Sequence, residues 1–92
     1  MGVRPRQRPE RLAEKLLAIR TALDLSQAQM VKRLDAEEMI VPGQISEFET
    51  GKREPSLPLL LRYARVAGVW MDVLVDDELD LPAKLPTRSK RK

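Results

Sequence analysis

The chain contains neither cysteine nor histidine among its 92 residues. Without cysteine there can be no disulfide and no thiolate metal site; without histidine the commonest general base and metal ligand is gone. Both absences argue against a nucleophilic triad or a zinc enzyme, so a non-enzymatic chain with no cofactor is expected. Aromatic residues are equally scarce, Phe48, Tyr63 and Trp70 being all there are. No apolar run approaches the roughly 18 residues of a membrane span, and the N-terminus lacks the apolar stretch of a signal peptide. A cytoplasmic protein with no membrane partner is expected. Its 42% of hydrophobic residues can fill one modest core, hence one small domain.

Charge is abundant, and its distribution is uneven. Residues 1–20 carry six basic and two acidic side chains, and 21–65 carry six and seven. Residues 66–85 carry one and five (Asp72, Asp76, Asp77, Glu78 and Asp80), and 86–92 add Arg88, Lys90, Arg91 and Lys92. Two basic ends therefore flank a near-neutral body with an acidic patch. Basic ends of this kind suit a polyanion, most simply nucleic acid; the plainer alternative is a pair of solvated tails.

Helical periodicity organises the middle. Residues 1–8, interrupted by Pro5, have no apolar period and are expected as a basic disordered arm bearing Arg4, Arg6 and Arg8. Leu12, Leu16, Ile19 and Leu23 recur at helical spacing behind Pro9 and Glu10, which predicts a first helix over 9–23. Ser26 and Gln29 make an S-x-x-Q capping box opening a second helix, with Met30, Val31 and Leu34 inward. Residues 35–41 read as a connection whose apolar end tucks onto the core. Pro42 opens a third helix that Gly51 ends, with Ile45 and Phe48 inward. Ser56 caps a fourth, with Leu57, Leu60, Leu61, Ala64 and Ala67 toward the core, and Gly68 precedes a short fifth over 69–75. The prediction is an all-α bundle of about five short helices over 9–75, with 76–92 an extended tail ending in a basic C-terminus.

Gln44, Glu47 and Thr50 share the face of the third helix opposite Ile45 and Phe48. A glutamine can bond adenine through both amide atoms, and a glutamate can accept from cytosine N4. Gln27 opens the second helix, where a side-chain amide and free backbone N–H groups can hold a phosphate. The plain alternative for this face is solvent exposure with no ligand.

The run Ile45-Ser46-Glu47-Phe48-Glu49-Thr50-Gly51-Lys52-Arg53, followed by Pro55-Ser56-Leu57, resembles the Cro-and-phage-repressor (Xre-like) helix-turn-helix family, as does the order of elements over roughly 10–75. The resemblance implies a lambda-repressor-like helix-turn-helix DNA-binding domain, in a protein of bacterial, plasmid or phage origin. It further implies that Gln27 clamps a phosphate, that Pro42, Gly43 and Glu47 stand at base-reading positions with Gln44 and Thr50 beside the backbone, and that Lys52 and Arg53 contact phosphates. Lys52 and Arg53 can equally complement a helix C-terminal dipole. Arg20 and Glu49 match a pair that the family uses as a semi-buried salt bridge. Leu34 and Ile45 enclose ten residues where the family has about six, so the turn carries an insertion, and Pro42 and Gly43 have no side chain able to read a base.

The expected function is a sequence-specific, double-stranded-DNA-binding transcriptional regulator, a repressor, working as a homodimer. The alternative is a protein-interaction module, such as the antitoxin or adaptor half of a complex with a toxin or other protein. Leu59, Val66, Trp70 and Val73 are the expected dimer surface, although Trp70 can instead cover the bottom of a small core.

Overall fold

Each apolar stretch becomes one short helix in the computed structural model, which describes residues 9–86. The order is α1 (Leu12–Ala22), α2 (Gln27–Arg33), α3 (Pro42–Thr50), α4 (Leu57–Ala67) and α5 (Met71–Val75), with no strand among the described residues. Helix α3 packs against α1 and α2, and α5 against α1 and α4. The core gathers Leu16, Ile19, Met30, Ile45, Phe48 and Tyr63, with apolar neighbours from every helix.

Helix α1 starts later than its proline suggests, and the residues leading into it are held by the other end of the domain. The Asp77 carboxylate accepts from the backbone N–H of Glu10 (2.9 Å), just before the helix, and of the N-cap residue Arg11 (3.0 Å), one of the donors that a helix N-terminus leaves open. These bonds favour the charged form and hold Asp77 below the usual carboxylate range. Lys15 is buried and donates to the carbonyls of Val73 (2.7 Å) and Asp76 (2.9 Å) at the end of α5, while burial pushes its ammonium below the ordinary lysine value. Arg11 reaches Asp80 at 2.6 Å, and Leu81 and Leu85 pack on the core. Residues 76–86, the described part of the expected tail, thus lie along the body.

Local signals set the other termini. Ser26 Oγ accepts from the Gln29 N–H (3.0 Å) and Gln29 Oε1 from the Ser26 N–H (2.8 Å), a reciprocal cap worth about 1 kcal/mol. Pro42 occupies the first turn of α3, and Gly51 closes it at φ +81°, a left-handed conformation that suits a residue without Cβ.

In the connection, Ala36 and Ile40 are buried while Met39 and Val41 are exposed. The Ile40 N–H bonds the Ala36 carbonyl at 3.0 Å, giving one turn of helical backbone. Arg62 of α4 donates to the carbonyls of Leu34 and Asp35, tying this insertion to α4.

Helix α4 is rotated from the expected register. Leu59 and Tyr63 point inward with Leu60, Ala64 and Ala67, whereas Leu57 is 69% exposed and Leu61 is also exposed. Tyr63 is fully buried, and its hydroxyl has no hydrogen-bond partner among the described residues. Burial there raises its phenol well above the ordinary tyrosine value.

Candidate nucleic-acid interface

Helices α2 and α3 are joined through a charge pair anchored on α1. Arg20 donates from Nε to Glu49 Oε2 (2.7 Å) and from Nη2 to Oε1 (3.0 Å), and from Nη1 to the Leu25 carbonyl (2.9 Å). The Glu49 side chain is only 5% exposed and Arg20 19%. The expected semi-buried bridge is therefore present, and Glu49 stabilises the charged guanidinium. Gln27, the first residue of α2, places Nε2 at 3.5 Å from Glu49 Oε1. One buried carboxylate thus holds α1, the start of α2 and α3 in a fixed relation.

The outer face of α3 is open to solvent. Gly43 and Thr50 are exposed, Gln44 and Glu47 are half-buried, and a Cβ built on Gly43 would meet nothing within 4 Å. Gln44 is partly committed: its Oε1 accepts from the Val41 N–H at 3.1 Å, capping α3. A two-point contact with adenine needs that same oxygen to accept from N6. The cap therefore competes with the adenine contact expected of Gln44 and leaves its amide nitrogen as the donor for a phosphate.

Glu47 organises the end of the helix. Its carbonyl accepts from the N–H groups of Lys52 (2.9 Å) and Arg53 (3.2 Å) and from Thr50 Oγ1 (3.3 Å), and its Oε1 accepts from Arg53 Nε (2.7 Å). Lys52 and Arg53 are exposed at this rim. Arg4, Arg6 and Arg8 lie outside the described residues, as do Arg88, Lys90, Arg91 and Lys92. Pro9 and Glu10 share a cleft with Gly51, Arg53 and Glu54. The inserted Glu37 and Glu38 line a depression with Arg62 of α4.

Trp70 is 82% exposed, which excludes the reading in which it covers the core; Val66 on α4 and Val73 on α5 are half-buried. Leu59, expected on this surface, is 2% exposed and belongs to the core, because α4 turns its Leu59–Tyr63 side inward. Sequence reasoning also missed Lys15, Arg62 and Asp77. Lys15 does carry a signal: it stands three residues after Leu12 and four before Ile19, on the buried stripe. Among the described residues no acidic cluster is placed to hold a metal ion, and no helix is long and apolar enough to cross a membrane.

Comparison with known proteins bears on this arrangement. Residues 16–74, well over half of the chain, match the helix-turn-helix family. The fold is similar to that of the P22 c2 repressor, solved in complex with synthetic operator 9T in the presence of Tl+, with a TM-score of 0.62 and 24% identity over 72% of this chain and 94% of that one. No curated protein matches significantly. The chain belongs to the Cro-and-phage-repressor (Xre-like) helix-turn-helix family.

Proposed function

We propose that the chain is a sequence-specific, double-stranded-DNA-binding transcriptional regulator that acts as a repressor, with α3 in a major groove and α2 across the adjacent backbone. The observation that carries this reading is the uncovered outer face of α3, rimmed by Lys52 and Arg53 and locked to α2 through Glu49. Glu37 and Glu38 of the insertion share a depression with Arg62 of α4, which supports a reading in which they lie away from the α3 face. The likeness to a repressor solved with an operator supports the same reading.

Within it, the amide nitrogens of Gln27 and Gln44 hold phosphates, Thr50 lies beside the backbone, and Lys52 and Arg53 contact phosphates at the rim. Glu47 is the base-reading side chain, with cytosine N4 as its donor. Gly43 lets the backbone of α3 approach closely. Arg4, Arg6 and Arg8 extend into a neighbouring minor groove. One such unit reads few base pairs, so two copies pair through the surface around Trp70, Val66 and Val73.

A salt titration of binding to random duplex tests the core of this reading. Affinity is expected at low salt, with a log–log slope of about 0.9 per phosphate neutralised. Selection from a random DNA pool is expected to return paired half-sites about one helical turn, or a multiple of it, apart. No affinity for any duplex at low salt refutes the regulator and favours the protein-interaction module.

A further inference from the structure

The face of α3 that meets DNA in this reading carries its own counter-charge. Glu47 and Arg53 are six residues apart, which on a continuous helix is about 9 Å along the axis. The left-handed turn at Gly51 folds the chain back, and the Lys52 and Arg53 N–H groups fasten it to the Glu47 carbonyl. That reversal delivers Arg53 Nε to Glu47 Oε1 at 2.7 Å, with the side chains 54% and 40% exposed. The fold itself therefore builds the pair, and both members lie where a duplex can reach them.

We propose that Glu47 and Arg53 form an electrostatic latch that stays closed on random duplex and opens where a base edge supplies Glu47 with a replacement donor. The inference rests on the DNA-binding reading above and extends it. While the latch is closed, Arg53 spends its charge on Glu47 and adds little to phosphate attraction. Moving Arg53 fully onto a phosphate leaves Glu47 as a bare carboxylate beside a polyanion. A cytosine N4 amino group relieves that carboxylate; a guanine or thymine edge, presenting acceptors at the same place, does not. Specificity then arises from a penalty on wrong DNA as much as from attraction to the right site. The pair is exposed, so the penalty is a modest factor of about two to five.

The test is a double-mutant cycle on DNA affinity, comparing the full-length wild type with Glu47→Gln, Arg53→Gln and the double variant on a random duplex and on a site selected by the wild type. Glu47→Gln is expected to tighten random-duplex binding about two- to five-fold, to steepen the salt slope by about 0.9, and to lower the ratio of selected-site to random affinity. In the Arg53→Gln background the same substitution relieves only the repulsion of the bare carboxylate and frees no cation, so it is expected to tighten random binding by less and to leave the salt slope nearly unchanged. An equal tightening with and without Arg53 overturns the latch, because Glu47 then acts only as a repulsive charge; no tightening in either background overturns it too. Failure of the wild type itself to bind any duplex at low salt is a separate outcome, which removes the DNA-binding reading and the latch together.

Discussion

Arg20→Met should be among the most damaging single substitutions away from the apolar core. It strands Glu49, whose side chain is 5% exposed and whose remaining donor is the Gln27 amide at 3.5 Å. Leaving one partner of a fully buried pair unmatched costs about 3–5 kcal/mol. With Arg20 itself 19% exposed, some water reaches the site, and a loss of about 2–3 kcal/mol is expected. For a domain of this size that lowers Tm by roughly 10–20 °C. Thermal and urea unfolding followed by circular dichroism measure it. The control is the double variant Arg20→Met with Glu49→Leu, which removes both charges and should recover most of the loss. A Tm drop of only about 2–3 °C in the single variant would mean that the pair behaves as an exposed ion pair. A large drop that persists in the double variant would assign the effect to the lost bond from Arg20 to the Leu25 carbonyl.

Three further perturbations probe features on which the fold depends. Asp77 is held below its usual range by the Glu10 and Arg11 N–H groups, so its contribution to stability is present above about pH 4 and fades as the pH falls through its folded value. Asp77→Asn should therefore be less stable than wild type at pH 7, with the gap closing on acidification; a gap unchanged from pH 7 to pH 3 would remove the charged cap. Tyr63→Phe deletes an unpartnered buried hydroxyl, and should leave stability unchanged or raise it by up to about 1 kcal/mol in urea unfolding, whereas a clear loss would reveal a partner for that oxygen. Because Tyr63 is the chain's single tyrosine, its absorbance should show no phenolate near pH 10 until the protein unfolds. Gly43→Ala adds a methyl group in open space on a helix and should stabilise by up to about 1 kcal/mol; a lower Tm would show crowding at that position.

The legible parts of this protein are those whose causes lie within a few residues. The Ser26–Gln29 box, Pro42 opening α3 and Gly51 and Gly68 closing α3 and α4 all sit where the sequence puts them, because a cap or a left-handed stop is chosen by its immediate neighbours. The apolar spacing of Leu12, Leu16 and Ile19 likewise identified the buried stripe of α1. Even the Gln44 cap follows a local spacing, three residues from Val41, although its competition with a base contact becomes evident only from the bond itself. The Arg20–Glu49 bridge was reached through the family resemblance, since nothing local links two residues on different helices.

Other features depended on partners distant along the chain. The leucines at 57, 59, 60 and 61 surround α4 on several sides, so spacing alone could not choose its inward face; packing of Tyr63 and Leu59 into the core made that choice, and it withdrew Leu59 from the surface. The lead into α1 is held by Asp77, the buried ammonium of Lys15 by the carbonyls ending α5, and the insertion by Arg62. Short-range hydrogen bonding and hydrophobic period are written into neighbouring residues and select helices. Which polar groups meet across the domain, and which apolar side of a helix is hidden, depends on how all five helices settle against one another.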